Sequence, residues 1–129
     1  MKNRPLIAVV DDDQSVREAL QNLISSVGCD VEAFASAEDF LDSDVRLHTD
    51  CAVLDLWLPG ISGVELQRKL IAADQSLPAI IITANGNEEA QAEALAAGAI
   101  AFLKKPFEED VLLAAIESAL KRRNDQIES

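Results

Sequence analysis

The sequence predicts an α/β protein built on a doubly wound, five-stranded parallel sheet. Three observations predict it. Short apolar runs alternate with helical stretches five times in succession along 129 residues. Each run is continuously apolar, which suits strands buried on both faces of a sheet and not half-exposed hairpins. Repeated strand and helix units in so short a chain imply right-handed crossovers, with helices on both sides of the sheet. A chain of this length, 49% hydrophobic, closes a core of its own as one domain.

The predicted strands are Leu6–Val10, 29–34, 51–56, 79–82 and 100–103. The first helix carries Val16, Leu20, Leu23, Ile24 and Val27 on one face and ends before Gly28, where a left-handed cap belongs. The second is short, about 37–41. Gly63 precedes the third, whose apolar side is Val64, Leu66, Leu70 and Ile71, and Pro78 stops it from running into the fourth strand. The fourth helix, 88–97, is mostly alanine with Leu95 as its single large apolar side chain, so it docks weakly and is a candidate moving part. The last, 107–123, turns Phe107, Val111, Leu112, Ala115, Ile116 and Leu120 inward, and Lys121, Arg122 and Arg123 complement its C-terminal dipole. The domain then spans 1–123, and 124–129 form a polar tail or the start of a linker.

Charge narrows the function classes. Eleven Lys and Arg stand against 23 Asp and Glu, a net charge of -12, which repels phosphate backbones and anionic lipid alike. Direct nucleic-acid binding and membrane attachment are not expected. The first apolar run is too short for a signal-peptide core or a membrane span, and it stops against Asp11, Asp12 and Asp13. A cytoplasmic location is expected. Cys29 and Cys51 both begin strand-like runs and read as reduced, buried thiols.

Sheets of this kind bind ligands in the crevice beyond their C-terminal strand ends. Asp11, Asp12 and Asp13 leave the first strand there, Asp55 ends the third, Thr83 the fourth, and Lys104 and Lys105 the fifth. Carboxylates so close repel one another unless a cation sits among them. Mg²⁺ suits the place, since it takes oxygen ligands from one or two carboxylates and a phosphate. Zn²⁺ does not: neither Cys lies near these strand ends, and His48 stands before the third strand. A carboxylate can attack phosphorus and become an acyl phosphate, and Asp55 holds the central position for that role. Thr83 can donate its hydroxyl to a phosphoryl oxygen, and one of the two lysines supplies positive charge. The ring of Trp57 covers the rim, while its backbone carbonyl is a candidate oxygen ligand. Singly, each residue has an ordinary reading: Asp13 as a helix cap, His48 as a solvated loop residue, the others as turn or surface groups. Their joint placement carries the argument.

Five linked segments resemble the receiver domains of two-component response regulators, a CheY-like superfamily: residues 9–13, 55–63, 82–84, 97–99 and 104–107. The resemblance covers nearly the whole chain and is closest in look to FixJ-type receivers. It implies a flavodoxin-like (βα)5 fold with strand order 2-1-3-4-5 and a phosphoacceptor at Asp55. Asp12 and Asp55 then ligate Mg²⁺, Asp11 acts mainly through water, and the Trp57 carbonyl is the third protein ligand. The phosphate-binding lysine of the family directly precedes a proline, which selects Lys105 over Lys104; the Lys-Pro bond is often cis. Thr83 and Phe102 resemble the switch pair that reshapes the face of the last two helices and the fifth strand. Implied partners are a sensor histidine kinase or phosphotransfer protein, with a homodimer through the fourth helix, fifth strand and fifth helix. Such a protein is a switch and not an enzyme in the turnover sense: it catalyses its own phosphotransfer and, slowly, its own dephosphorylation.

Two departures from the family pattern stand out. Leu58 replaces a common methionine, a mild apolar exchange. Trp57 and Asn85 lie two residues beyond the implied phosphoacceptor and switch threonine, positions that in the family this chain resembles influence how fast water reaches the acyl phosphate. Competing readings fare worse. A haloacid-dehalogenase phosphatase needs a second Asp where this chain has Trp57, and three Asp in the first loop would repel a flavin phosphate. A pseudo-receiver, an interaction module independent of phosphorylation, is the remaining alternative.

Overall fold

The computed structural model describes residues 4–73 and 77–128, with side chains through residue 122. Its elements follow the predicted alternation: β1 Leu6–Val10, α1 Gln14–Ser26, β2 Asp30–Phe34, α2 Ala37–Asp42, β3 Cys51–Asp55, α3 Gly63–Ala72, β4 Ala79–Thr83, α4 Glu88–Ala96, β5 Ala101–Lys104 and α5 Glu109–Glu128. A 3₁₀ turn at Asp44–His48 joins α2 to β3. All strands are parallel, in the order β2-β1-β3-β4-β5.

The apolar runs form strands because β-branched side chains pack on both faces of the pleat. Ile7, Val9, Val53, Ile80 and Ile82 meet Leu20 and Ile24 of α1 and Leu112 and Ile116 of α5 on one face. Ala8, Val10, Ala52, Leu54 and Ile81 meet Phe40 of α2, Val64, Leu66 and Leu70 of α3, and Ala94 of α4 on the other. Burial on both faces holds for β1, β3 and β4. It fails for β2 and β5, the sheet edges, where Asp30, Glu32 and Lys104 are exposed and the apolar residues only half-buried. An edge strand has one neighbour and less cover, which a run of apolar letters does not reveal.

Strand ends move by one residue from expectation. Leu56 leaves β3, Thr83 joins β4, and β5 starts at Ala101, one residue after Ile100 donates its N–H to the Ala79 carbonyl of β4. Helix faces need larger corrections. Val27 caps α1 and is exposed, as are Ile71 at the end of α3 and Val111 in the first turn of α5. Leu95 does not dock α4: it is 45% exposed, and Ala94 is buried in its place, with Ala90 and Ala97 beside it. Attachment through methyl groups is weaker still than expected, since little apolar area is covered. Gly63 is the first residue of α3 and Ser62 its cap. The start of α5 falls at Glu109, because the Glu108 carbonyl accepts from the Val111 and Leu112 N–H groups. The helix runs on to Glu128, so Lys121 and Arg122 sit more than a turn before its end, and its last turn holds no basic residue. The side chains of Arg123 and of 124–129 lie outside the described residues.

Asp13 caps α1, accepting from the Ser15 and Val16 N–H groups. Gly28 follows with φ +89°, the predicted left-handed cap. Both cysteines are free and buried. They flank β1 from opposite sides, about 10 Å apart by two strand spacings, beyond the reach of a disulfide. Among the described residues no helix is long and apolar enough to cross a membrane.

Candidate functional site at the carboxyl ends of the strands

Parallel pairing brings the C-terminal ends of β1, β3, β4 and β5 to one rim. Asp11 follows β1, its N–H held by the Phe34 carbonyl at 3.0 Å, and is fully buried. Asp12 is exposed beside it. Asp55 ends β3 at 7% exposure. One carboxylate oxygen from each of Asp11, Asp12 and Asp55 lies within 4.8 Å of the others. That donor set, all hard oxygens, fits a divalent cation of the Mg²⁺ type and gives Zn²⁺ no nitrogen or sulfur. His48 is exposed in the 3₁₀ turn that precedes β3, at the opposite end of that strand from Asp55.

Lys105 closes the cluster. Its ammonium donates to Asp11 Oδ2 at 2.8 Å and stands 3.6 Å from Asp55 Oδ2. Burial alone would lower its pKa, but the hydrogen bond and charge of Asp11, followed by Asp55, outweigh that and raise it. Lys104 is exposed. The Lys105–Pro106 peptide bond is cis. The Asp55 carboxyl is pushed above its ordinary value by burial and then by the Asp11 charge, with Lys105 and the Trp57 N–H opposing. That N–H donates to Asp55 Oδ1 at 3.2 Å. The surroundings of Asp55 therefore favour an extra positive charge nearby or a proton on its carboxyl.

Thr83 is fully buried at the end of β4, and its hydroxyl oxygen accepts from the Asn85 N–H at 3.1 Å. Phe102 of β5 is half-buried against the cluster under α3 and α4. The indole of Trp57 is 56% exposed, and its Nε1–H donates to the Asn85 carbonyl at 3.0 Å, tying the β3–α3 and β4–α4 loops together. Two contributors escape a reading by residue type. Arg17, one turn into α1, donates from Nη1 to the Asp11 carbonyl at 2.7 Å. Its only sequence signal is a cation closely following three Asp. Gly63 leaves room for the end of β3: a Cβ there would fall 2.6 Å from the Asp55 carbonyl oxygen.

The acidic cluster and its lysine lie beyond the carboxyl ends of the strands, where doubly wound α/β proteins place their ligand sites. The chain belongs to the response regulator receiver domain family, whose sequence profile matches residues 7–117. It is 42% identical over 124 residues to the response regulator protein TmoT of Ectopseudomonas mendocina, covering 96% of this chain and 56% of that one. It is 39% identical to the transcriptional regulatory protein FixJ of Bradyrhizobium diazoefficiens, covering 95% and 60%. The solved structure of the response regulator StyR matches with TM-score 0.89 and 46% identity over 97% of this chain and 63% of that one. FixJ-N matches with TM-score 0.83 and 37% identity over 94% and 96%. The chain spans between half and two thirds of the length of the curated relatives it matches.

Proposed function

We propose that this chain is a phosphoacceptor switch in which Asp55 takes a phosphoryl group from a histidine kinase or phosphotransfer protein. The observation that carries the reading is the convergence of Asp11, Asp12 and Asp55 within 4.8 Å with Lys105 closed upon them. A carboxylate oxygen of Asp55 forms the new P–O bond as the P–N bond of a phosphohistidine breaks; the departing imidazole nitrogen keeps the electron pair and takes a proton from solvent. Asp12, Asp55 and the Trp57 carbonyl would hold Mg²⁺, with Asp11 acting through water. The ion supplies charge neutralisation on the transferring group. Lys105 adds a compact positive charge on a phosphoryl oxygen, and the Thr83 hydroxyl donates to another. Thr83 and Phe102 then form the switch pair that shifts the population of the α4, β5 and α5 face.

A groove of about 680 Å³ runs between α1 and residues 105–109, with Val16, Leu20, Leu23 and Phe107 among its walls. Lys105 also lines it, so a donor helix seated there would present its phosphohistidine next to the acidic cluster. Leu95 and Val111, each 45% exposed on α4 and α5, favour that face for a homodimer. The receiver unit on this reading spans 1–123, with 124–129 as a tail or the start of a linker, although the backbone helix continues to Glu128. For a parent chain that carries an output domain we propose regulation of transcription. A phosphorylation-independent module would not need the complete acidic set.

Incubation with acetyl phosphate and MgCl₂ should label the wild-type protein and not Asp55→Asn, and EDTA should abolish the label. A wild-type chain that never labels would overturn the proposal in favour of the pseudo-receiver.

A further inference from the structure

The β4–α4 loop, residues 84–87, is gripped at two points and has one gap. Thr83 Oγ1 accepts from the Asn85 N–H at 3.1 Å, and the Trp57 indole holds the Asn85 carbonyl at 3.0 Å. Asn87 then caps α4, accepting from the Ala90 N–H at 2.8 Å. Between these anchors stands Gly86. A Cβ built on Gly86 would fall 2.7 Å from Thr83 Cγ2 and 2.8 Å from both Cε1 and Cζ of Phe102, closer than real side chains approach. The methyl group of Thr83 and the ring tip of Phe102 share the room that a side chain at position 86 would take. Gly86 is not among the glycines with positive φ. An alanine there is therefore opposed by those two side chains and not by its own backbone.

We propose that Gly86 is a positioning residue for the switch. Its missing side chain lets the Phe102 ring rest on the loop that the Thr83 hydroxyl holds, so that movement of Thr83 passes through Asn85 and Gly86 to the ring. The inference rests on the reading of Thr83 and Phe102 as the switch pair and adds the physical link between them. When the Thr83 hydroxyl turns towards a phosphoryl oxygen, its hydrogen bond draws the Asn85 N–H along. Trp57 restrains the same residue from the other side, and the displacement emerges at Gly86, where the ring is in contact. Direct contact at each step satisfies the requirement that coupling run through packed, hydrogen-bonded groups.

The test combines Gly86→Ala, Phe102→Leu and the double variant in the full chain. Without phosphoryl donor, Gly86→Ala lowers the melting temperature, and the double variant melts higher than the sum of the two single shifts, because the smaller side chain relieves the contact. Additive shifts, or a double variant that fails to fold, overturn the proposal. With acetyl phosphate and MgCl₂, wild type and Gly86→Ala are both labelled to completion before comparison, so that a change in rate through Thr83, whose methyl group the new Cβ meets, does not enter the readout. The ring resonances of Phe102, followed by ¹³C-phenylalanine NMR, move on labelling in the wild type and stay in place in Gly86→Ala. A normal Phe102 response in Gly86→Ala overturns the role of Gly86 alone. A wild-type protein that labels without moving Phe102 overturns the switch-pair reading as well, and the melting data then still report whether the contact itself is right.

Discussion

Replacing Asp55 with asparagine should stabilise the metal-free protein while abolishing its phosphorylation. Asp55 is 7% exposed, with carboxylates of Asp11 and Asp12 within 4.8 Å. Burial, and then the Asp11 charge, raise its pKa above the ordinary 3.8. The fold therefore favours the protonated form. The contribution of Asp55 to stability is fully present below its unfolded value and is lost as pH rises through the raised folded value. At an effective dielectric of about 20, the Asp11 carboxylate, within 4.8 Å, repels that of Asp55 by at least about 3.5 kcal/mol, and Lys105 attracts it by about 4.6 kcal/mol at 3.6 Å. These nearly cancel. Desolvation, the largest cause, then decides the sign against the ionised carboxyl, over the opposing bond from the Trp57 N–H. An asparagine should gain about 2 kcal/mol at neutral pH, or roughly 6–10 °C in melting temperature for a chain of this size. Thermal denaturation in EDTA from about pH 5 to 8 reads this directly: the gain should grow with pH, and MgCl₂ should shrink it by neutralising the wild-type cluster. An asparagine variant no more stable than wild type in EDTA at neutral pH would refute the electrostatic account of the site.

Other outcomes follow from the same geometry. Lys105→Ala frees Asp11 from its ammonium partner, so Mg²⁺ affinity, read from quenching of the single tryptophan Trp57, should rise about tenfold while acetyl phosphate labelling falls about a hundredfold. Unchanged Mg²⁺ affinity would remove the competition between lysine and metal. Trp57→Ala takes away the ring bonded to the Asn85 carbonyl and should shorten the lifetime of phosphorylated Asp55 by admitting water; an unchanged dephosphorylation rate would end the shielding idea. The Cys51 thiol is pushed up to about 12 by burial, so Ellman's reagent at about pH 8 should reach Cys51 only as the protein unfolds.

Much of this molecule was legible in its letters. Val9-Val10, Val53-Leu54 and Ile80-Ile81-Ile82 announce strands because few other structures bury such runs on both faces, and the acidic cluster follows once those strands are parallel. Edges were not legible: β2 and β5 are also rich in apolar letters, yet the number of neighbours a strand has is a tertiary fact. Size and spacing point Val27, Ile71, Leu95 and Val111 inward, yet all four are exposed. Near a helix end, or where the sheet passes close, a methyl such as Ala94 fits and a larger side chain is turned away. The start of α5 was misplaced because Phe107 is apolar and follows a proline, whereas the Glu108 carbonyl begins the hydrogen-bonded turn. Residues 11, 12 and 55 could be named in advance by their chemistry, whereas chemistry left Lys104 and Lys105 open and only the resemblance to receiver domains chose Lys105. The Arg17 bond to a backbone carbonyl, the Trp57 brace and the spaces at Gly63 and Gly86 have no pattern to find, since each depends on what the folded chain brings alongside.

The spacing at Gly63 has a mechanical consequence. The Asp55 carbonyl would lie 2.6 Å from any Cβ at position 63, the Gly63 N–H is bonded to the Leu56 carbonyl at 2.9 Å, and the Leu56 N–H is bonded to the Ile82 carbonyl at 2.8 Å. The main chain beneath Asp55 has little slack in any of these directions, because packed interiors yield little. Asp55 can receive charge and mass but cannot recoil. On the proposed phosphorylation, strain from the attached group would be released through the β4–α4 loop and through α4, the helix seated on Ala94 with so little apolar area beneath it. A stiff anvil set against a loosely fastened lever sends displacement one way, outward, whichever partner waits there.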